Sequence, residues 1–257
     1  MFPYTLAFAS YTFPNQTFEL QGHQLQASVP VSQIQRQNGG VVLDGYLSPK
    51  TFIINGKMYA ADIDTLHESV NILKKSLHNK GQTAYLQYRS DRRTLCRLGQ
   101  AGVNVIYEKG LYQYVVNVQA QMVTDRPFAE SPTTRNSSRS LSAAIPSLVD
   151  GLTNAGHYLS NPIFTFIPGA SFTNNLHVMN DANSMGFDFI GPLLSGQTLI
   201  IDCDAGCVLF QIGTDLVDAM SYFQGDLFLA LEEGANNLVI SGATLTYSVN
   251  WKDRWYL

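Results

Sequence analysis

The sequence has few cysteines and few charged residues. Its 257 residues include three cysteines, at positions 96, 203 and 207. Three thiols do not supply the even-numbered framework of a small disulfide-stapled domain, so we expect the chain to be made and folded in a reducing cytoplasm. Charged residues make up 14% of the chain and hydrophobic residues 45%. So low a charge indicates that other subunits cover much of the surface.

The sequence also lacks long apolar runs and, in its second half, positive charge. No stretch is long enough to span a membrane, and the opening residues MFPYTLAFASYTF lack the basic and apolar regions of a signal peptide. Residues 141–257 hold two cations, Lys252 and Arg254, against eleven Asp and Glu, whereas residues 1–140 hold fourteen Lys and Arg against nine. This asymmetry predicts a domain boundary near residue 140 and different partners for the two halves.

The stretch DIDTLHESVNILKKSLHNKG predicts an amphipathic helix over residues 62–80. Its apolar side chains recur at steps of four, three and four, at Leu66, Val70, Leu73 and Leu77. Asp62 stands at the N-cap position, and Lys80 and Gly81 stand where a C-terminal cation and a terminating glycine are favoured. One apolar stripe needs one partner surface, so we expect β-structure with this helix packed against it.

Short strands are predicted on both sides of the helix. Before it they cover residues 4–8, 17–22, 24–30, 40–48 and 50–54, and Asn55-Gly56 is typical of a hairpin turn. After it they cover residues 84–88, 93–98, 103–107 and 112–123, the last with a long apolar alternation. With the helix, these strands predict a first domain over residues 1–130.

Beyond the first domain the composition changes twice. Residues 131–160 are rich in Ser, Thr and Pro with little periodicity, and they are interpreted as a connector. From residue 161 short strands return at even spacing, one of them at 227–231, with a helical turn at 218–223. This pattern predicts a second domain over residues 161–257, a β-sandwich of the jelly-roll kind.

The predicted fold class is therefore mainly β. An α+β first domain, a β-sandwich or barrel with one flanking helix, is followed by a second β-sandwich domain, jelly-roll or galectin-like.

The order of these elements resembles the distal tail proteins of long, non-contractile phage tails. In the first domain the resemblance rests on the strand–helix–strand unit and on the long alternating strand that ends in Asp125-Arg126-Pro127-Phe128. In the second it rests on GQTLIID at 196–202, LEEGANNL at 231–238 and the final strand from Thr246 to Tyr256. These segments are similar to the galectin-like or carbohydrate-module-like sandwich of that family.

The resemblance implies a structural, non-enzymatic component of the phage tail tip with no cofactor. In the family the first domains form a homo-hexameric ring that continues the tail tube, and the second domains project outward. The implied partners are the tail tube protein, the tail hub or tail-associated protein, the tape-measure protein and receptor-binding proteins, with weak carbohydrate binding as a further option. Assembly is expected in the host cytoplasm. No stripe of Lys and Arg lies over an aromatic platform, so specific nucleic-acid binding is not expected.

Thiols and carboxylates in the second half are candidates for chemistry. Cys203 and Cys207 flank Asp204, but a zinc site needs four ligands, and the five histidines (His23, His67, His78, His157, His177) are scattered. A turn with two small thiols is therefore preferred. Asp202, Asp204, Asp215 and Asp218 are the candidates for a glycosidase pair, although turn residues on an acidic surface are preferred. We expect no catalytic, cofactor or metal residues.

Three further groups of residues each allow a functional and a structural interpretation. Asp181 and Asn183 suit calcium, but the twelve-residue calcium loop is absent. A cluster of arginines suits a phosphate backbone, but a solvated or inter-subunit role is preferred for Arg89, Arg92, Arg93 and Arg97. The aromatic residues near the end suit a sugar-stacking shelf, but a core or interface role is preferred for Trp251, Trp255 and Tyr256.

Other functions remain open on the sequence alone. Residues 161–257 could be a carbohydrate-binding adhesin or receptor-binding module, and the acidic cluster could belong to a hydrolase. Another tail tube or connector protein is a near neighbour of the distal tail assignment, and the separate second domain favours the distal position.

Overall fold

The computed structural model of the chain describes residues 6–13, 18–21, 27–28, 31–33, 40–42, 46–47, 50–109, 114–124, 126, 128–173, 175–225, 228–242 and 244–257. The chain divides into two compact units. The first comprises Met1–Glu130 with Tyr256–Leu257, and the second comprises Ser131–Trp255. Each unit has its own hydrophobic core. Within the described ranges no helix is both long enough and apolar enough to cross a membrane.

The first unit is built on a large antiparallel sheet with one helix, α1 (Ile63–His78), on one face. Its strands are β1 (Ala7–Phe8), β2 (Tyr11–Thr12), β3 (Phe18–Gln21), β4 (Ala27–Ser28), β5 (Val31–Gln33), β6 (Gly40–Val42), β7 (Tyr46–Leu47), β8 (Thr51–Ala60), β9 (Ala84–Gln87), β10 (Arg93–Lys109), β11 (Tyr114–Thr124) and β12 (Phe128–Glu130). The main sheet runs in the order β2-β1-β9-β10-β11-β8-β3, with β12 pairing β10. The pairs β4–β7 and β5–β6 form two small sheets.

Helix α1 forms where it is predicted and buries its apolar stripe. Leu66, Val70, Leu73 and Leu77 are all fully buried. They share one core with sheet side chains such as Phe52 and Met122, and each buried aliphatic side chain contributes about 2 kcal/mol. At the N-terminus, Oδ1 of Asp62 accepts the Thr65 backbone N–H at 2.8 Å. This bond satisfies one of the donors that a helix leaves free, as predicted.

The C-terminus of the helix differs from the prediction. The helix ends at His78, and Asn79 is the C-cap, with a left-handed backbone at φ 38°. Asparagine tolerates this conformation better than other residues with a Cβ. Gly81 has a φ of 76° but ends the 3₁₀ turn Asn79–Gly81 that follows. The left-handed residue that ends the helix is therefore Asn79, two positions before the predicted Gly81.

The hairpin predicted at Asn55-Gly56 is wrong. Strand β8 runs straight through both residues, because it has a partner on each side. Asn55 lies opposite Gln119 of β11 and Glu19 of β3. Strand pairing on both edges satisfies the backbone along the whole strand, so it overrides the turn preference of the dipeptide.

The strands predicted at 93–98 and 103–107 are parts of one strand, β10. Its pairing with β11 shifts register between Leu98 and Val103. Gly102 lies in this interval with φ 63°, a left-handed conformation that glycine adopts without steric penalty. The glycine thus marks a bulge inside a continuous strand rather than a break between two strands.

The second unit is a sandwich of two antiparallel sheets around one core. Its strands are β13 (Arg135–Leu141), β14 (Ser147–Asn154), β15 (Ile163–Pro168), β16 (Leu176–Asn180), β17 (Met185–Phe189), β18 (Gln197–Asp202), β19 (Cys207–Ile212), β20 (Asp215–Asp218), β21 (Phe223–Gln224), β22 (Gly234–Ser241) and β23 (Leu245–Trp251). The last strand of the chain, β24 (Arg254–Tyr256), is not part of either sheet of the sandwich. One sheet has the order β13-β23-β15-β18-β19-β20 and the other β14-β22-β16-β17-β21.

Period-two alternation produces the core of this sandwich. In β23 the side chains of Leu245, Tyr247, Val249 and Trp251 are buried, whereas the residues between them are more exposed. Successive side chains of a strand point to opposite faces, so this pattern places one face of the sheet against the other sheet. The mainly β fold class, with a second β-sandwich, is confirmed. The 3₁₀ turn Met220–Tyr222 lies where a helical turn was predicted.

The interpretation of residues 131–160 as a connector is wrong. This range contains β13 and β14, which are edge strands of the two sheets, and Leu141 and Leu152 are buried in the core. Strand β13 pairs with β23, and β14 pairs with β22, at least 80 positions away in each case. Ser-rich strands of this kind carry little apolar periodicity because only some of their side chains face the core.

Two other groups of predicted strands need correction. At 227–231 the described residues from 228 form no strand, and Leu231 makes only an isolated bridge to Ser160. The strands predicted at 4–8, 17–22, 24–30 and 40–48 overlap β1, β3, β4, β6 and β7, which are shorter. The remaining positions of these four predictions lie outside the described residues, apart from Leu6, which is not in a strand.

Candidate functional site

The face of the first sheet opposite α1 is lined by side-chain amides. Pairing places Asn55 of β8 and Asn104 of β10 directly opposite Gln119 of β11, so the three amides form one row across the sheet. Their neighbours Phe52, Ile54, Val118 and Ala120 are buried on the helix side, and alternation therefore turns this row outward. Eight of the outward residues are called the amide face: Asn55, Lys57, Asn104, Ile106, Glu108, Asn117, Gln119 and Gln121.

Hydrogen bonds hold these amides to one another and to the backbone. Gln119 Nε2 donates to Asn55 Oδ1 at 3.0 Å. Asn117 Nδ2 donates to Glu108 Oε1 at 2.6 Å, and Gln121 Oε1 accepts the Ala101 N–H at 3.4 Å. These eight residues include one cation, Lys57, and one anion, Glu108, so the amide face is polar, internally bonded and electrically balanced. Arg97, opposite Val123 of β11, projects to the same side of the sheet beyond the bulge of β10.

The two cysteines of the second half lie at a tight turn, in agreement with the interpretation preferred from the sequence. Cys203 is buried, Cys207 is half-buried, and neither is in a disulfide. Burial raises the pKa of the Cys203 thiol to about 12 and also raises the pKa of Cys207. A raised thiol pKa suppresses the thiolate, which is the nucleophilic and metal-binding form. Within the described ranges no group of three or more His, Cys, Asp or Glu side chains is placed to hold a metal ion.

The aspartates considered as a glycosidase pair serve local structure instead. Oδ1 of Asp202 accepts the N–H groups of Asp204 and Ala205, both at 2.9 Å. Asp204 in turn pairs with Arg254 at 2.8 Å. Oδ1 of Asp218 accepts the Met220 N–H at 3.0 Å. Carboxylates engaged by turn N–H groups are structural, and the preferred interpretation as turn residues holds for Asp202.

The residues considered for calcium are also engaged within the fold. Oδ1 of Asn183 accepts the Met185 N–H at 3.0 Å, and its Nδ2 donates to the Ala230 carbonyl at 3.1 Å. Asp181 donates its N–H to the Asn237 carbonyl at 3.0 Å. The amide oxygen of Asn183 is thus already bonded to the backbone.

The arginine cluster forms ion pairs within the chain. Arg89 and Arg92 both pair with Asp91, at 3.0 and 3.4 Å. Arg93 pairs with Glu130 at 3.3 Å, and its guanidinium lies 3.8 Å from the centre of the Tyr85 ring. Arg93 projects on the same side as the amide face, beyond the bulge of β10. These pairs place three of the four arginines in local structure.

The aromatic residues near the end do not form a shelf. Trp251 and Trp255 are each 7% exposed, and Trp251 Nε1 donates to the Thr153 carbonyl at 3.1 Å. Tyr256 alone is exposed. A ring that stacks on a sugar has to present its face to solvent. The preferred core role is confirmed for both tryptophans.

A buried carboxylate, Asp150 of β14, was missed in the sequence. Its side chain is 1% exposed. Oδ2 accepts the hydroxyls of Ser137 at 2.7 Å and Tyr247 at 3.2 Å, and Oδ1 accepts Arg139 Nε at 3.3 Å. Burial, and then the negative charge of Asp150, raise the pKa of Tyr247. The acceptor belongs to one sheet and its three donors to the other, so the network joins the two sheets.

Comparison with known proteins identifies similarity to phage tail components. Residues 155–255 match the family model described as a siphovirus-type tail component, C-terminal domain. No curated protein matches the chain by sequence. The Dit protein of phage SPP1 has a similar structure, with 13% identity, a TM-score of 0.71, and coverage of 97% of this chain and 98% of that one. This likeness shows that the two chains share a fold over nearly their full lengths.

Two further solved structures are more distant. They are the phage P2 baseplate in its activated conformation with Ca, at 9% identity, a TM-score of 0.40 and 90% coverage of each chain, and the same baseplate with Sr. For the second the identity is 9%, the TM-score 0.43, and the coverage 91% of this chain and 89% of that one.

Proposed function

We propose that this chain is a distal tail protein that forms the hub ring at the distal end of the tail tube, because residues 155–255 match the C-terminal domain of siphovirus-type tail components and the chain shares the fold of the SPP1 Dit protein over nearly its full length. The observation that carries the proposal is the family match over the second unit, in a chain whose first unit has the helix-backed sheet expected of a ring-forming domain. The SPP1 protein with the same fold is described as a paradigm of the hub adsorption apparatus in phages that infect Gram-positive bacteria.

In this ring six first units surround a central bore. The helix covers one face of the sheet, which leaves the amide face as the broad surface available to line the bore. Duplex DNA is a dense polyanion, so a lining of Lys and Arg would hold it, and a lining of Asp and Glu would repel it. Side-chain amides together with one cation, Lys57, and one anion, Glu108, neither hold the duplex nor repel it. Such a lining suits the passage of DNA without retention.

The edges of the first sheet suit closure by neighbouring copies. Among the described residues the main sheet ends at β2 and β3. An open edge exposes backbone groups that pair readily with another chain, and a cyclic oligomer can satisfy them without forming a filament. The exposed apolar residues Ile72 and Tyr59 of this unit, which are 52% and 47% exposed, are further candidates for burial between copies.

The proposed partners follow from the place of the ring. Tail tube protein stacks on one side and the tail hub or tail-associated protein on the other, with the tape-measure protein in the bore and receptor-binding proteins around the periphery. The role is structural and non-enzymatic, in the virion tail tip, with assembly in the host cytoplasm. The carbohydrate-binding alternative has no supporting geometry, since both tryptophans are buried and the outward described residues of the five-stranded sheet include no Phe, Tyr or Trp. The hydrolase alternative has none either, because Asp202 is bonded to turn amides.

Negative-stain imaging and light scattering of the purified chain test the ring. Each chain has a mass of 28.4 kDa, so a cyclic hexamer has a mass of about 170 kDa. We expect six-lobed rings of that mass, either alone or after mixing with tail tube protein. A chain that stays monomeric both alone and with tube protein overturns the proposal.

A further inference from the structure

One edge of the six-stranded sheet is apolar and open. Strand β20 (Asp215–Asp218) is the last strand of that sheet among the described residues, and all four of its residues are exposed. Leu216 is 60% exposed and Val217 48%. Since these two neighbours point to opposite faces of the strand, both faces of β20 are accessible.

The backbone of this edge has hydrogen-bonding groups to offer. Strand β20 pairs with β19 in the register Ile212 opposite Asp215 and Phe210 opposite Val217. In an antiparallel pair alternate residues bond across the ladder. Leu216 and Asp218 therefore direct their N–H and C=O groups away from β19, and none of these groups has a partner among the described residues.

The opposite edge of the same sheet is protected. Strand β13 carries Arg135 and Arg139 among serines and an asparagine, and both arginines pair with carboxylates, Asp253 and Asp150. Charged and polar side chains are the usual protection of an edge strand against pairing with another chain. Strand β20 has an apolar centre instead, so its edge is accessible to a further strand.

Exposed apolar side chains continue around β20. Within the described chain, Ile212 is 45%, Met220 41% and Tyr222 36% exposed. With Leu216 and Val217 they are exposed apolar side chains on and next to the edge strand. Exposed apolar side chains concentrated in this way are typical of a protein–protein contact.

The charges around the edge define its partner. Asp215 and Asp218 lie at the two ends of β20. The only cations of residues 141–257 are Lys252 and Arg254, and Arg254 pairs with Asp204. Antiparallel pairing of β20 with β20 of another copy would bring four carboxylates, two of Asp215 and two of Asp218, into one short ladder without a cation, which is unfavourable. A strand from a different protein that brings Lys or Arg to both ends satisfies the apolar centre and both aspartates.

We propose that β20 accepts an extended strand from a different protein, with an apolar centre and a Lys or Arg at each end. The added strand bonds to the outward N–H and C=O groups of Leu216 and Asp218 and continues the sheet, while its cations meet Asp215 and Asp218. This inference does not depend on the proposed hub ring, which involves the first unit. It assigns the second unit a defined place for a peripheral protein.

Binding of two synthetic peptides to the full chain tests the proposal. The probe alternates Val and Thr and has Lys at both ends, and the control has Glu at those ends. By fluorescence anisotropy we expect the Lys peptide to bind at least about tenfold more tightly than the Glu peptide. Backbone amide exchange at Leu216 and Asp218 should slow when the Lys peptide is bound, with no change in β13.

Two variants separate edge pairing from a general loss of structure. Leu216→Pro removes an N–H that points away from β19, so the native ladder is kept, and we expect at least about tenfold weaker binding. Leu216→Val keeps the N–H and the apolar character and should bind within about threefold of wild type. Both should retain the native tryptophan emission. Equal binding of the Lys and Glu peptides, equal binding by the two variants, or protection at β13 instead of β20 overturns the proposal.

Discussion

At the residue scale, the second unit contains a buried carboxylate, Asp150, that is hydrogen-bonded at both oxygens. Asp150 is an acceptor with three donors around it. A carboxylate at this depth is stable only while those donors remain, because an unpaired buried charge is strongly unfavourable. The hydrogen bonds of Asp150 thus connect the two sheets of the second unit and stabilise their packing.

Asp150→Asn is expected to destabilise the second unit by about 2 kcal/mol, since the amide offers a donor where Ser137, Tyr247 and Arg139 need an acceptor. Urea unfolding followed by tryptophan fluorescence measures the effect, because Trp251 and Trp255 both belong to this unit. Asp188→Asn is the matched control. Asp188 and its partner His177 are each about 40% exposed. Asp188→Asn should therefore lower the free energy of unfolding by less than about 1 kcal/mol. Equal losses in the two variants would contradict the assignment.

The buried thiol leads to a second prediction at this scale. With a pKa of about 12, only roughly one Cys203 side chain in ten thousand is a thiolate at pH 8. We expect a native thiol titration at this pH to label Cys207 and to leave Cys203 and Cys96 unlabelled, and the rate at Cys203 to rise as the pH approaches 12.

The titration has an internal control. Denaturation should release all three thiols of the chain, whereas Cys207→Ser should abolish native labelling. Rapid labelling that persists in Cys207→Ser would show that another thiol is accessible and would refute the prediction.

At the scale of the element, α1 is stabilised by one stripe of side chains. The helix contacts the sheet through residues that are fully buried, while its other side faces solvent. Most of the stability of such a helix comes from tertiary packing rather than from intrinsic propensity. Adjacent positions on the helix should therefore respond very differently to truncation.

Leu73→Ala is expected to destabilise the first unit by about 3 kcal/mol, because it leaves a cavity between helix and sheet. The neighbouring Ile72 is 52% exposed, and Ile72→Ala should change stability by less than about 0.5 kcal/mol. Far-UV circular dichroism at the helical band during urea unfolding compares the two variants. A similar loss for both would mean that the helix does not pack on the stripe.

At the scale of the whole molecule, the two units differ in charge and in exposed surface. Residues 1–140 carry an excess of five positive charges, and residues 141–257 an excess of nine negative charges. The eight residues of the amide face are nonetheless neutral in sum, because they include one cation, Lys57, and one anion, Glu108. Net charge of a half therefore does not describe the surface that meets a given partner.

Gln119→Lys is expected to convert a ring that ignores duplex DNA into one that retains it, with retention falling steeply as salt is raised. The reason is that each copy would add one cation to the bore. Filter binding of linear duplex at low and at physiological salt measures the change. Asn71→Lys adds the same charge on the exposed side of α1 and should leave retention unchanged. Equal retention by both variants would remove the amide face from the bore.

The sequence by itself determined those features that are periodic or compositional. The helix stripe, its Asp62 cap, the long strand β11, the mainly β class and the charge asymmetry are all properties of neighbouring residues. The resemblance to distal tail proteins rested on the order of these elements, and the family match over residues 155–255 confirmed it. Local patterns sufficed because each of these features depends on side chains within a few positions of one another.

Only the tertiary structure decided what distant residues do together. The composition of Asn55-Gly56 predicts a hairpin turn. In the sheet these two residues lie inside strand β8, because β3 and β11 pair with it on both sides. Residues 131–160 are polar in sequence but form edge strands, and Asp150 acquires its three donors only there. The open edge at β20 likewise cannot be recognised from the four residues of that strand. A strand is an edge when no further strand pairs with its outer side, and this depends on the rest of the sheet. Long-range pairing sets these outcomes, and it has no local signature.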